Sequence, residues 1–182
     1  MQAREAMGHR WLRWWRHRWM PERAAEHAVP LAMAERLQAR VVASEARHTG
    51  QVVLCIEAAL PNSYLWRAGR VAPLQAVVRE RALAWFGKLR VWDTEHNNGV
   101  LIYLQLAEHR VEIVADRGIS RHVGSDHWQS VVQQLGVHLR KADFETGLTQ
   151  ALEEVSALLV QHCPLPEGQV HANELCDRVV WA

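Results

Sequence analysis

The stretch Leu89–Gly118, LRVWDTEHNNGVLIYLQLAEHRVEIVADRG, decides the fold. Its eight-residue apolar run Gly99–Leu106 is predicted as a strand of the core. A second run, Val111–Ala115, follows after four residues, Ala107–Arg110, a spacing typical of an antiparallel hairpin. Before the first run lies a polar, oxygen-rich loop, Asp93–Asn98. After the second comes the turn Asp116-Arg117-Gly118.

Two strands that are nearly all apolar need cover on both faces, and the flanking sequence supplies it. Pro30 opens a helix whose apolar face runs through Leu31, Ala34, Leu37 and Val41, and Thr49-Gly50 stops it. Gln51–Ile56, QVVLCI, is a third buried strand. Pro61–Ala72 is expected to be an irregular connection. Pro73 opens a helix with Val77, Val78, Ala82, Trp85 and Phe86 inward. Ser125 and Asp143 are the expected caps of two further helices. The order helix, strand, helix, strand, strand, helix, helix gives the expected class: α/β, a three-layer α/β/α sandwich with a small mixed central sheet. The expected organisation is a basic Trp/Arg-rich amphipathic segment over 1–23, the α/β/α domain over 30–163, and an extended tail over 164–182.

The net charge of +1 argues against a globally basic nucleic-acid binder. Residues 1–23 nevertheless carry six arginines against two glutamates, so the remainder of the chain is net acidic. Within that segment Trp11, Trp15 and Trp19 recur at helical spacing with Trp14 beside them, and Arg13 and Arg16 interrupt them. This is the pattern of an interfacial helix, in which Trp enters the headgroup layer and each Arg gains about 1 kcal/mol near anionic lipid. Crossing a bilayer takes about 20 apolar residues in a row, and the arginines forbid it. A basic tail in solvent and a helix packed on the domain are the alternatives. Four tryptophans in nine positions favour the membrane surface. The expected contacts are Trp11, Trp14, Trp15, Trp19, Arg13 and Arg16. The expected location is cytoplasmic, peripheral at the inner membrane face.

Three cysteines without close spacing (Cys55, Cys163, Cys176) make neither a disulfide framework nor a zinc pattern. No Gly-rich phosphate loop, dinucleotide fingerprint or Gly-x-Ser-x-Gly elbow is present, and the histidines form no ligand spacing. What remains is oxygen chemistry. Asp93, Asn97, Asp116 and Glu57 would form an acidic rim for a hard divalent cation if the strand ends converge. The simpler reading of Asn97-Asn98-Gly99 and of Asp116-Arg117-Gly118 is turn chemistry.

Several segments together resemble the TPM-domain family, named after a thylakoid lumen protein, a photosystem II repair protein and a nematode receptor modulator. They are Ser44–Gly50, Arg81-Ala82 with Phe86, Trp92–Tyr103 (WDTEHNNGVLIY) and Ile113–Ile119. The likeness covers about Leu31 to His162 and is closest to a short bacterial branch without a spanning helix. It implies an α/β/α fold, Ca2+ or Mg2+ binding, and a role in maintaining or assembling membrane protein complexes alongside a membrane-protein partner. Phosphatase activity is implied by the resemblance alone, with Arg117 or Arg121 placing phosphate, and no catalytic residue carries over.

Overall fold

The computed structural model describes residues 12–21, 23–166, 174–175 and 178–182. Helix α1 covers 12–18, followed by α2 (Ala24–Ala28), α3 (Leu31–Glu45), β1 (Gln51–Glu57), α4 (Asn62–Arg67) and α5 (Leu74–Lys88). Then come β2 (Gly99–Gln105), β3 (Arg110–Ala115), α6 (Arg117–Ser120), α7 (Ser125–Arg140), α8 (Phe144–His162) and β4 (Val180–Trp181).

The sheet order is β3-β2-β1-β4. β1 pairs parallel with both β2 and β4, and β2 pairs antiparallel with β3. Every residue of β1 and β2 is buried, as their unbroken apolar runs require of strands covered on both sides. Alternation then splits the side chains between two cores. Val52, Leu54, Ile56, Val100, Ile102 and Leu104 pack under α3, α7 and α8. Val53, Cys55, Leu101 and Tyr103 pack under α4 and α5. The fold is therefore the expected three-layer sandwich with a mixed sheet. Pro30 and Pro73 stand at the N-cap positions of α3 and α5.

Three details differ from the sequence expectations. The connection after β1 contains a helix, α4, because Asn62–Arg67 turns its Leu65 into the second core. Gly124, not Ser125, is the N-cap of α7, and Ser125 is its first residue. The last residues do not trail away. Val180 and Trp181 pair with Cys55 and Ile56, and the Trp181 indole N–H donates to Val29 O at 3.0 Å.

The hairpin turn and the 93–98 loop rely on left-handed backbone at His109 (φ 50°) and Asn97 (φ 52°). Asn tolerates that conformation better than most residues, so the Asn-Asn-Gly sequence does serve as turn chemistry.

Candidate functional site

The sheet directions decide which expected site residues can meet. β3 runs antiparallel, so its carboxyl end lies beside the amino ends of β1 and β2. Asp116 follows Ala115, which pairs with Val100, and the Asp116 N–H donates to Gly99 O at 2.9 Å. The next turn presses onto the polar loop: Gly118 N–H donates to Asn97 O at 2.6 Å. A Cβ at Gly118 would stand 2.4 Å from His96 O. Asn97 and Asp116 therefore share one rim, and only glycine at 118 permits the contact.

Glu57 does not join them. It is the last residue of β1, while Gln51 at the other end pairs with Gly99. Seven residues of strand place Glu57 about 20 Å away along β1. There it closes a buried network instead. Its carboxylate accepts from Arg81 Nη2 at 2.5 Å and from the Tyr103 hydroxyl at 2.5 Å. Burial in this layer, with Glu57 adding to it, pushes the Tyr103 hydroxyl above its ordinary range. The Cys55 thiol is pushed up to about 12 by burial first and by the same carboxylate second, so Cys55 is an inert core residue. Asp93 stays at the surface, paired with Arg90 three residues earlier.

At the 93–118 rim two oxygens are buried without a hydrogen-bond partner, Asp116 Oδ2 and Asn98 Oδ1. Asp116 uses Oδ1 to accept from the Arg117 N–H at 2.6 Å. Asn98 uses its amide nitrogen to donate to Thr49 Oγ1 at 2.9 Å. Hard cations take oxygens of this kind, with a total of six to eight for calcium. Among the described residues no group of three or more His, Cys, Asp or Glu is placed to hold a metal. Asp116 thus offers one carboxylate oxygen and Asn98 one amide oxygen that the described residues leave unpartnered. Arg117, with its side chain 78% exposed, lies 4.0 Å from Asp116 Oδ1. Arg121 is also exposed.

The amphipathic segment docks in an orientation that periodicity alone did not give. Buried His17 bridges the Glu108 carboxylate (2.8 Å) and the Leu60 N–H (2.9 Å). Arg13 lies 3.3 Å from the same carboxylate, and Arg16 Nη1 donates to Ala107 O at 2.9 Å. Met20 packs against the first core. Both arginines thus face the domain. Trp14, Trp15 and Trp19 face outward, with Trp15 and Trp19 stacked at 6.0 Å and Trp19 74% exposed. Trp11 lies outside the described residues.

Sequence reasoning missed two further groupings. One is the Glu108 anchor, which a lone Glu in a turn does not advertise. The other is a cavity of about 300 Å3 lined by residues that include Gln75, Arg79, Glu112, Ser120, Ser125 and Trp128, which no expected site residue lines. Arg79 and Glu112 come from different elements, so no sequence spacing links them.

A mixed four-stranded sheet between two helical layers, with the WDTEHNNG loop packed on the Asp-Arg-Gly turn, defines a small α/β/α class. The family model of the TPM domain matches residues 26–158, and the chain belongs to that family. Among solved structures it is similar to the BA42 protein of the psychrophilic bacterium Bizionia argentinensis. That match has a TM-score of 0.69 and 19% identity, and it covers 85% of this chain and 95% of that one. It is also similar to the N-terminal domain of a protein from P. gingivalis, with a TM-score of 0.54 and 17% identity, covering 81% and 95%. At these identities the likeness is one of fold. No curated protein matches.

Proposed function

We propose that this TPM-domain protein is an accessory module at the cytoplasmic membrane surface that helps maintain or assemble membrane protein complexes. The observation that carries this reading is the outward row of Leu12, Trp14, Trp15 and Trp19 on a helix fixed to the domain by its other side. Large aromatic side chains held in water by a folded scaffold mark a contact surface, and Trp suits the headgroup layer. No helix among the described residues is long and apolar enough to cross a membrane, so the contact would be peripheral. The test is co-sedimentation of the full chain with phosphatidylserine-containing vesicles. Wild type should pellet, and Trp15→Ala with Trp19→Ala should remain largely in the supernatant. Equal sedimentation of the two would overturn the reading.

The same proposal includes a divalent-cation site, calcium or magnesium, built on Asp116 and the neighbouring loop with Asp93 and Asn97. Its support is the buried, partnerless Asp116 Oδ2. Millimolar calcium should raise the melting temperature of wild type and leave Asp116→Asn unmoved.

A weak metal-dependent phosphatase is the second reading, favoured by the exposed Arg117 beside that carboxylate. It requires calcium- or magnesium-dependent hydrolysis of p-nitrophenyl phosphate that Asp93→Ala plus Asp116→Ala removes.

A further inference from the structure

The docked arginines raise a question of charge. A free Arg/Trp helix would meet anionic lipid with Arg13 and Arg16, yet here both are held against Glu108 and Ala107. The outward face of α1 offers Trp and Leu, with Arg18 as its exposed cation. A further positive group stands beside α1 on another element.

That element is the shoulder formed by the end of α4 and the turn after it. Gly69 (φ 76°) allows the chain to reverse, and its N–H donates to Ala72 O at 2.8 Å. The Val71 N–H returns to Arg67 O at 2.9 Å. Arg67 in turn fixes α4 to α5 through a two-bond pair with Glu80 at 2.7 and 2.6 Å. The turn is thus a built projection, and its tip carries what a core would not leave outside. Trp66 is 61% exposed, Val71 66% exposed, and the Arg70 guanidinium lies over the Trp66 ring at 5.0 Å. The Arg13 guanidinium comes within 3.9 Å of the Cβ position at Gly69, so the shoulder stands against the flank of α1.

We infer that the membrane contact is a two-part platform, the outer face of α1 together with the Trp66–Arg70–Val71 shoulder, and that it seats on the headgroup layer of an anionic bilayer. The inference rests on the membrane-surface reading and deepens it by naming the second contact and its charge. Trp66 and Val71 enter the interface as a wedge, and Arg70 remains at phosphate level above the ring. Interfacial binding strengthens with the apolar area buried and with attraction to anionic lipid, and the shoulder adds both. A rigid scaffold presenting both also fixes the orientation of the domain on the surface, which a lone flexible tail would not.

The experiment uses the full chain and phosphatidylcholine vesicles with or without phosphatidylserine. Trp66→Ala with Val71→Ser should lower partitioning onto phosphatidylserine vesicles about tenfold. Arg70→Gln should lower it about fivefold there and have no effect on phosphatidylcholine alone. All three positions are exposed, so unchanged melting temperatures will confirm intact folds. If the shoulder variants bind like wild type while Trp15→Ala with Trp19→Ala is lost, the platform is overturned and the α1 reading stands. If wild type itself binds neither vesicle, both fall. If Arg70→Gln loses equally on both vesicle types, the proposed anionic-headgroup contact is wrong.

Discussion

Glu57 shows how a residue that looks available in sequence is committed in the fold. It receives Arg81 and Tyr103 in the layer under α4 and α5, and its side chain is 4% exposed. Replacing it with Ala leaves the Arg81 guanidinium and the Tyr103 hydroxyl without their acceptor, which should cost about 3 kcal/mol in urea unfolding. Tyr103→Phe, which removes one neutral donor, should cost about 1 kcal/mol. Gly99 is a second committed position, since a Cβ there would stand 2.0 Å from Val91 O. Gly99→Ala must move the loop after α5 and is expected to destabilise by about 2 kcal/mol. Glu108 works through charge. Burial alone would raise its carboxyl, but the bond from His17 and the charges of Arg13 and Arg16 outweigh that and hold it below its ordinary 4.5. A depressed carboxyl stabilises the fold above its unfolded value, and the contribution is lost as pH falls through the folded value. Docking of α1 should therefore loosen below about pH 4.5. The expected sign is a shift in tryptophan fluorescence toward water-exposed emission, absent in Glu108→Gln. Glu112 has the opposite sense. Burial raises its carboxyl against Arg79 and Arg110, so its ionisation opposes folding as pH climbs past the ordinary value.

At the scale of elements, legibility followed length and pattern. β1 and β2 could be read from sequence because continuous apolar runs of strand length bounded by turn residues fit few alternatives. α3 and α5 could be read because Pro opens each and an apolar face follows. α4 could not, since six residues make fewer than two helical turns, too few for an apolar face to repeat. β4 is two residues long, below any pattern. The candidate site was half legible for a related reason. The WDTEHNNG loop and the Asp-Arg-Gly turn each announced themselves as turns rich in oxygen ligands, and they do meet. Strand direction is not written in side-chain type, however: the Asp93–Asn98 loop precedes a strand that runs parallel to β1, so it lies at the end of the sheet away from Glu57. The antiparallel β3 returns Asp116 to the end of the sheet where the loop lies. Within α1, Trp15 and Trp19 share one face as the helical period implies, while the places of Arg13 and Arg16 depend on the turn at Ala107 and Glu108, far along the chain.

At the scale of the whole molecule, α1 sits on the β2–β3 turn, whereas the candidate cation rim lies at the opposite end of the parallel strands. A domain seated on a membrane through α1 would therefore hold the Asp93–Gly118 rim away from the lipid, open to a partner or to solvent cations. The sheet separating the two ends is closed late. β1 is buried along its full length, and Val180 and Trp181 pair with one of its edges. Trp181 contacts a residue 152 positions earlier. During synthesis at about 5–20 residues per second, the apolar strand would wait several seconds with a bare edge before its last neighbour left the ribosome. Bare edges recruit other strands. Removing residues 178–182 should leave that vulnerability permanent and give concentration-dependent association in light scattering that the full chain does not show. Val180 and Trp181 thus act as a late seal on the edge of β1.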